Sequence, residues 1–221
     1  MPSQIYIKNL FNSISTKYDL LNNLLSLGLH WSWKKRFVQM IKKDKNIEIL
    51  DAATGTGDIA ALLYKENLKV TGIDLSPGMI SVAKSRFKNI KFQVADTLNL
   101  SFPDKSFDAS SIAFGIRNTE SVEEALKELA RVSKRYVYVL EFGTPENKVF
   151  RSLYFFFMKK FIPSLGKIFG MKSSYQYLID SSMKFPSDSK FIELANSLSI
   201  FKNSSFQPVF GGICYIYKLE I

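Results

Sequence analysis

The sequence contains a single cysteine, Cys214, and a single histidine, His30. One cysteine cannot close an internal disulfide, and such sparing use suits a reducing compartment. No N-terminal segment combines a basic start, a long apolar run and a small-residue cleavage site, so we expect no secretory signal. These absences together predict a cytoplasmic protein without a disulfide framework.

A long uninterrupted apolar run is also missing. The most apolar window covers residues 153–170, and three lysines and a proline interrupt it: Lys159, Lys160, Pro163 and Lys167. A lone membrane-spanning helix would not place such residues at its middle. We therefore expect no transmembrane helix.

Acidic residues are fewer than basic ones, with Asp+Glu 20 against Lys+Arg 30 and a net charge of +10 at pH 7. Such an excess often reflects only a solvated surface. In residues 155–161, however, lysines stand among aromatic residues, a pattern that suits an anionic membrane surface better than a nucleic-acid groove. No RNA-binding module is recognisable. We expect no nucleic-acid partner, and a peripheral contact with the inner face of the cell membrane stays open.

Strand and helix patterns alternate through the first two thirds of the chain. Ser76-Pro77 and the pair Ser121 and Glu124 mark helix starts between them. The predicted strands are residues 47–50, 69–73, 90–94, 109–113 and 136–142. Strands separated by helices indicate an α/β fold with a mostly parallel, doubly wound sheet that binds ligands at the carboxyl ends of its strands.

The 221 residues fit one domain, and the remaining patterns divide it into four parts. These are an N-terminal helical cap (1–46), a cofactor-binding core (47–142), a helical region facing substrate or membrane (143–203), and two closing strands (204–221). In the cap, the pattern indicates a first helix that ends at Gly28. In the third part, helices are predicted at residues 150–162, 173–184 and 188–198. We expect the closing strands to form an antiparallel pair at the edge of the sheet.

A glycine turn follows the first predicted strand. Gly55 and Gly57 permit positive φ and a close approach of ligand to backbone. With Ala60 and Asp74 they also satisfy the dinucleotide pattern G-x-G-x-x-[G/A], so an NAD(P)-dependent oxidoreductase is one interpretation. Asp51 favours another, because its carboxylate would repel a pyrophosphate and attract the sulfonium and ammonium groups of S-adenosylmethionine (SAM).

Two more carboxylates are predicted at the same edge of the sheet, since Asp74 follows the second strand and Asp96 the third. The two oxygens of Asp74 could accept both hydroxyls of a ribose, and Asp96 could accept from an adenine amino group. Uncompensated buried charge is costly. The convergence of Asp51, Asp74 and Asp96 therefore indicates a shared cationic, hydroxyl-rich ligand and weighs against a turn that binds nothing.

Two longer motifs are more specific than the glycine turn. They are Tyr18-Asp19, Asn22, Ser26-x-Gly28-x-His30 and Trp33-Lys34 within residues 11–36, and Ala113-Phe114-Gly115-Ile116-Arg117-Asn118. Both resemble signatures of the ubiquinone/menaquinone biosynthesis C-methyltransferases, the UbiE/MenG type. Similarity in residues 140–142, 175–178 and 211–212 extends the resemblance over nearly the whole chain.

The resemblance implies a Rossmann-like class I SAM-dependent methyltransferase fold with helical caps. It also implies that Thr56, Asp74, Asp96 and Thr97 contact SAM. Ala113 stands where relatives often have a serine, so that contact would be made by the backbone. No metal ion is expected, and the sequence leaves open whether the chain forms a homodimer.

The implied reaction is methylation of a ring carbon of a polyprenyl demethylquinol, either demethylmenaquinol or the benzoquinol of the ubiquinone pathway. Carbon attacks a sulfonium methyl group only if the ring is electron-rich, so a phenolic hydroxyl must lose or share its proton. We hypothesise that Arg117 stabilises the phenolate, directly or through a water molecule, the alternative being a structural ion pair. Asn118, Tyr18 and His30 are candidates to orient the ring or relay the proton.

Two alternatives remain besides this reaction. An oxidoreductase would need the glycine turn to hold a pyrophosphate despite Asp51. A noncatalytic assembly factor of a quinone-synthesis complex would keep the fold but lose the cofactor, and the intact carboxylates weigh against it. His30 has a structural alternative too, because a lone histidine more often satisfies a hydrogen bond than catalyses.

Overall fold

The computed structural model describes residues 4–15, 23, 26, 28–156, 177, 180–183 and 185–221. The helices are α1 Gln4–Ile14, α2 His30–Lys43, α3 Asp58–Lys65, α4 Pro77–Arg86, α5 Val122–Val132, α6 Lys148–Phe156 and α7 Ser189–Ser197. The strands are β1 Glu48–Ala52, β2 Lys69–Asp74, β3 Lys91–Val94, β4 Phe107–Ala113, β5 Ser133–Phe142, β6 Asn203–Val209 and β7 Cys214–Glu220.

The strands form one seven-stranded sheet in the order β3-β2-β1-β4-β5-β7-β6. The first five strands pair in parallel, and β1 lies between β2 and β4. After β1 the chain builds outward through β2 and β3, then returns to place β4 on the other side of β1. This reversal of direction leaves a crevice at the carboxyl ends of β1 and β4, the usual ligand site of such sheets.

The predicted antiparallel pair at the edge is present. β7 is antiparallel to both β5 and β6, so the reversed strand lies one position in from the edge, while the edge strand β6 runs in the same direction as β5. A short turn over Phe210–Gly212 joins β6 to β7. So short a connection can join only antiparallel neighbours.

Helices cover both faces of the sheet. On one face α2, α3 and α4 bury Phe37, Leu63 and Ile80 against the strands. On the other face α5 and α7 bury Leu129 and Phe191. Strands that are buried on both faces have continuous apolar sequences, because neither face meets water. The sequence of β5 has this pattern, as expected for a central strand.

The predicted helix starts are confirmed. The Ser76 hydroxyl accepts from the backbone N–H of Met79 at the start of α4, with Pro77 in the first helical position. The Ser121 hydroxyl accepts from the N–H of Glu124 at the start of α5. Each cap satisfies one donor that the first helical turn leaves without a partner.

The N-terminal cap differs in detail from its prediction. α1 already ends at Ile14, although the pattern indicates a first helix that reaches Gly28. Gly28 does end a helical stretch that includes Asn23 and Ser26, because it adopts a φ of 78° and donates its N–H to the Asn23 carbonyl. Only glycine adopts such a φ at no steric cost.

The predicted aromatic helix at residues 150–162 begins at Lys148 as α6, and the part from 157 onward lies outside the described residues. The predicted helix at 173–184 is described only at Tyr177 and residues 180–183, all of which are helical. Across the described part of the chain, no helix is both long enough and apolar enough to cross a bilayer.

Candidate active site

Two residues in the left-handed region of backbone conformation stand directly after neighbouring strands. Ala53 follows β1 with a φ of 48°, and Phe114 follows β4 with a φ of 55°. A side chain in this region costs on the order of 1–3 kcal/mol and persists only where its surroundings enforce it. Both residues line the crevice between β1 and β4. Backbone strain of this kind is concentrated at ligand sites.

The main cleft of this crevice is concave and lined by both apolar and polar residues, as small-molecule sites usually are. Its walls bring together most of the residues predicted to contact a cofactor, together with one predicted to act on the acceptor: Gly55, Asp74, Asp96, Thr97, Ala113 and Asn118. These residues come from the carboxyl ends of four strands, β1 to β4, and the loops that follow them, and only the parallel sheet places them at one edge.

Asp74, the last residue of β2, is hydrogen-bonded to the glycine turn. Its Oδ2 accepts the N–H of Gly55 at 2.9 Å, and its Oδ1 accepts the N–H of Ser76 at 2.9 Å. Burial raises the pKa of Asp74 above its usual value, while these two N–H donors act in the opposite direction. Each oxygen can accept a second hydrogen bond, and Asp74 lines the cleft, which fits a ligand that presents two neighbouring hydroxyls.

Asp96 forms the far wall of the cleft. Its Oδ1 accepts the N–H of Leu98 at 2.9 Å, and its Oδ2 accepts the side-chain amide of Gln4 at 2.7 Å. An amide N–H₂ group and an adenine amino group are donors of the same kind. Asp96 is therefore placed to accept an N–H₂ donor, and the side-chain amide of Gln4 in α1 is such a donor.

Asp51 faces a smaller, adjoining cavity rather than the main cleft. This cavity shares Ala53, Gly55, Ala113 and Phe114 with the main cleft. Asp51 is 1 % exposed. Its oxygens accept the hydroxyls of Thr54 at 2.6 Å and Ser111 at 3.0 Å. The expected cradle of three carboxylates is thus divided, with Asp74 and Asp96 on one side of the glycine turn and Asp51 on the other.

Burial raises the pKa of the Asp51 carboxyl to about 7, although the two hydroxyls oppose this. A carboxyl with such a pKa can be neutral or charged near physiological pH, depending on what occupies the space beside it. A cation there would favour the charged form. The position is compatible with the positively charged end of SAM, and the contact itself stays a prediction.

An ion pair between α2 and α3 lines the adjoining cavity. Lys34 donates to Asp58 at 2.8 Å, and both side chains are almost fully buried. Asp58 also pairs with Arg86 of α4 at 3.0 Å. Thr56 lines this cavity, and its carbonyl accepts from Arg86 at 3.2 Å. The glycine turn is therefore held on both sides by cationic side chains from neighbouring helices.

Arg117 is buried behind the cleft rather than exposed in it. Its Nη1 donates to the Glu141 carboxylate and to the Phe114 carbonyl at 2.7 Å, and its Nε lies 3.4 Å from the Ser181 hydroxyl. Glu141 is fully buried, and burial raises the pKa of its carboxyl despite the neighbouring guanidinium. The structural ion pair considered above is therefore present. Both hydrogens of Nη1 are used in these two bonds, so the further donors of the guanidinium are the two hydrogens of Nη2.

Asn118 is the neighbour of Arg117 that does line the cleft. Its Nδ2 donates to the Phe114 carbonyl at 3.3 Å, and its Oδ1 accepts from the Tyr177 hydroxyl at 2.9 Å. The amide thus joins the loop after β4 to the helical stretch that contains Tyr177.

His30 is placed at the start of α2, 5 % exposed and outside the linings of both cavities in the described part of the chain. Its Nδ1 lies 2.6 Å from the Ser26 hydroxyl. Burial and the nearby Lys34 lower the pKa of His30 to about 4, so the ring is neutral at pH 7. Tyr18 lies outside the described residues.

The contribution of α1 was not apparent in the sequence. Gln4, Ile7 and Phe11 line the main cleft. Asn12 accepts the Ser76 hydroxyl and, at 2.9 Å, the N–H of Gly78. The helical pattern predicts a cap, but which strand end it covers depends on contacts 64–92 residues away along the chain.

The strand order, the glycine turn after β1 and the acidic residue after β2 define a class of protein, the class I SAM-dependent methyltransferases. Among solved structures, magnesium protoporphyrin IX methyltransferase from Synechocystis with bound SAM has a similar fold, with a TM-score of 0.67 at 11 % identity, covering 100 % of this chain and 97 % of that one. The sequence identifies the family within this class of methyltransferases. The chain belongs to the ubiE/COQ5 methyltransferase family, which matches residues 2–218.

Two relatives illustrate the similarity. The ubiquinone/menaquinone biosynthesis C-methyltransferase UbiE of Bdellovibrio bacteriovorus is 39 % identical over 227 residues, which cover 98 % of this chain and 96 % of the relative. The enzyme of the same name from Geotalea daltonii is 39 % identical over 225 residues, covering 97 % and 95 %. The predicted family is confirmed, and neither the oxidoreductase nor the assembly factor finds support.

Proposed function

We propose that this protein transfers a methyl group from SAM to a ring carbon of a polyprenyl demethylquinol in respiratory quinone biosynthesis. The acceptor is demethylmenaquinol, and the benzoquinol of the ubiquinone pathway is a second acceptor. The observation that carries the proposal is the near full-length similarity to enzymes named for this C-methylation, together with a cleft whose polar groups match a cationic nucleoside.

Different residues of the cleft bind different parts of the cofactor. Asp74 accepts the ribose hydroxyls with its free lone pairs, and Asp96 accepts the adenine amino group in place of Gln4. Thr97 and Ala113 form the wall between them, and Asp51 and Thr56 face the amino-acid end from the adjoining cavity. When bound, SAM supplies a methyl group on positively charged sulfur.

The acceptor side depends on the loop after β4. Arg117 has donors that Glu141 and Phe114 do not use, so it stabilises the developing phenolate through a water molecule rather than by direct contact. Asn118 orients the ring from the cleft wall. Tyr18 is the remaining candidate that relays the phenolic proton, because His30 lines neither cavity in the described part of the chain.

The isoprenoid tail of the acceptor is apolar and needs an apolar surface to bind. On α6, Val149, Leu153 and Phe156 are 80 %, 65 % and 64 % exposed and recur at helical spacing, so they form one apolar stripe. Residues 157–161 continue this segment with aromatics and lysines. This surface contacts the inner face of the cell membrane from the cytoplasmic side, where the acceptor's tail resides.

The decisive experiment is incubation of the purified protein with methyl-labelled SAM and, separately, each reduced demethylquinone in detergent micelles. We expect label in the quinone ring with demethylmenaquinol, and a comparison of kcat/KM with the benzoquinol ranks the two acceptors. Asp74→Ala is the control, because it should lose SAM binding in calorimetry and transfer together. Tight SAM binding without transfer to either quinol would refute the proposed function.

A further inference from the structure

The helical stretch around Tyr177 contacts two consecutive site residues. Tyr177 and Ser181 are four positions apart, so they lie on one face of a helix. The Tyr177 hydroxyl is 2.9 Å from Asn118, and the Ser181 hydroxyl is 3.4 Å from Arg117. One helix face therefore meets both residues of the loop after β4 that are expected to act on the acceptor.

The hydrogen bonds determine how the Asn118 amide is oriented. The Phe114 carbonyl can only accept, so the amide nitrogen of Asn118 must point toward it. The amide oxygen then points to Tyr177, and the Tyr177 hydroxyl must be the donor. Without that hydroxyl, the amide would keep one long bond of 3.3 Å. Only that long bond would then restrain the side-chain torsion of Asn118.

Tyr177 is itself well anchored. Its ring meets the Tyr6 ring of α1 edge to face, with the centroids 5.8 Å apart. Burial raises the pKa of its hydroxyl to about 12, so the hydroxyl remains protonated and can donate at neutral pH. The Tyr177 ring thus spans the distance between the N-terminal cap and the loop after β4.

We propose that Tyr177 is a positioning residue, which acts through Asn118 to hold the acceptor ring at the wall of the cleft. The inference rests on the proposed function. Asn118 lines the cleft, whereas Tyr177 is not among its lining residues in the described part of the chain. Tyr177 affects the reaction by keeping the amide in one orientation, so that the donors and acceptors facing the ring do not interchange.

The test compares Tyr177→Phe, Asn118→Ala and the double variant with the wild type, using SAM and demethylmenaquinol. Tyr177→Phe keeps the ring and its contact with Tyr6 but removes the donor. We expect its kcat to fall about 10- to 100-fold, the loss typical of a misplaced reacting group. The Kd of SAM, measured by calorimetry, should stay within about twofold of the wild type, since the cofactor side is unchanged.

The double variant distinguishes positioning from general weakening of the fold. If Tyr177 acts through Asn118, Tyr177→Phe should lower kcat no further once Asn118→Ala is present. Tyr64→Phe removes the same hydroxyl from an exposed tyrosine of α3 and should match the wild type. Ser181→Ala should have a smaller effect than Tyr177→Phe, because its contact is 3.4 Å long.

Three results would overturn the inference: a wild-type kcat in Tyr177→Phe, independent losses that multiply in the double variant, or a loss of SAM affinity in Tyr177→Phe. The proposed function is judged first, on the wild-type protein alone. If the wild type binds SAM but methylates no quinol, both proposals fall. If it turns over and only the variants disagree, only the role of Tyr177 falls.

Discussion

Three ionisable side chains around the site are almost completely removed from water. Asp51 is 1 % exposed, Arg117 5 % and Glu141 0 %. Charged groups in such places are retained only when partners compensate for lost hydration. Arg117 and Glu141 compensate one another, while Asp51 is held by two hydroxyls and the backbone N–H of Ala60 and faces the cavity. The two cases lead to different predictions.

Asp51 should make SAM binding depend on pH. Because burial raises its pKa from 3.8 to about 7, the carboxyl is largely neutral below that pH and charged above it. A cationic ligand prefers the charged form, so the affinity for SAM should rise several-fold between about pH 6 and pH 8. In Asp51→Asn, binding should be weaker and this rise should be lost. Calorimetry at both pH values measures it.

Asp104→Asn is the matched control, since Asp104 is 73 % exposed and lies in a surface ion pair with Arg131. The titration of SAM itself is common to all three proteins and cancels in the comparison. Burial and a nearby carboxylate, Asp74, act on Asp51 in the same direction. An Asp51→Asn protein with the wild-type pH profile would contradict the role of Asp51.

The same shift predicts how Asp51 affects the stability of the ligand-free protein. Its pKa is higher in the folded state than its ordinary value of 3.8. The stabilisation it provides is therefore complete below that value and is lost as the pH rises through about 7.

Arg117 should contribute both to stability and to turnover, and a second substitution separates the two. Arg117→Ala leaves Glu141 buried without its cation, and we expect a loss of roughly 3–5 kcal/mol in the free energy of unfolding. Adding Glu141→Gln removes the unpaired carboxyl and should recover much of that loss, as urea unfolding would measure. Turnover should stay absent while SAM binding is nearly intact. Recovery of turnover in the double variant would limit Arg117 to a structural role.

At the scale of elements, the cofactor loop is held by the helix that precedes the sheet. α2 reaches the glycine turn through the buried pair Lys34–Asp58, and Asp58 is the first residue of α3. The same two helices are joined at their exposed ends by Lys42–Glu66. The chain thus provides one buried and one exposed lysine–carboxylate pair between the same elements.

These two pairs should differ in what they contribute. Lys34→Met leaves Asp58 buried with only Arg86, and we expect it to lower the free energy of unfolding by roughly 3 kcal/mol. It should also weaken SAM binding, because Asp58 begins the helix that follows Gly57. Lys42→Met should change neither, because an exposed pair contributes little. Equal effects of the two substitutions in urea unfolding would show that burial does not decide the outcome.

At the scale of the whole molecule, charge and apolar surface lie in the same part of the chain. The net charge is +10, and α6, with its exposed apolar stripe, leads into a segment containing Lys159 and Lys160. An apolar face with adjacent lysines is the usual composition of a helix that lies on an anionic bilayer.

Vesicle flotation tests this surface. The wild-type protein should float with vesicles containing anionic lipid and much less with neutral vesicles, and added salt should release it. Replacing Lys159 and Lys160 by Glu, or Leu153 and Phe156 by Ser, should reduce flotation while SAM binding is kept. Lys42→Glu, which changes charge on α2, should float like the wild type. Equal flotation of all proteins with neutral vesicles, or none at all, would refute the membrane contact.

The sequence by itself determined the elements and the chemistry at their ends. Local patterns predict the alternation of strands and helices and the caps at Ser76 and Ser121. They also predict the positions of Asp74 and Asp96 at or just after the ends of their strands. Such patterns can be read because a strand, a turn or a helix start depends on residues only a few positions apart. A parallel sheet then brings the strand ends together without further information.

Only the tertiary structure decided which side chains meet across long distances in the chain. Gln4 reaches Asp96 from 92 residues away, Arg117 pairs with Glu141 24 residues on, and Tyr177 bonds Asn118 from 59 residues away. It also placed Asp51 in a cavity of its own rather than beside Asp74. Many pairings are compatible with the same local pattern. The packing of helices on the sheet selects one because buried polar groups must find partners there.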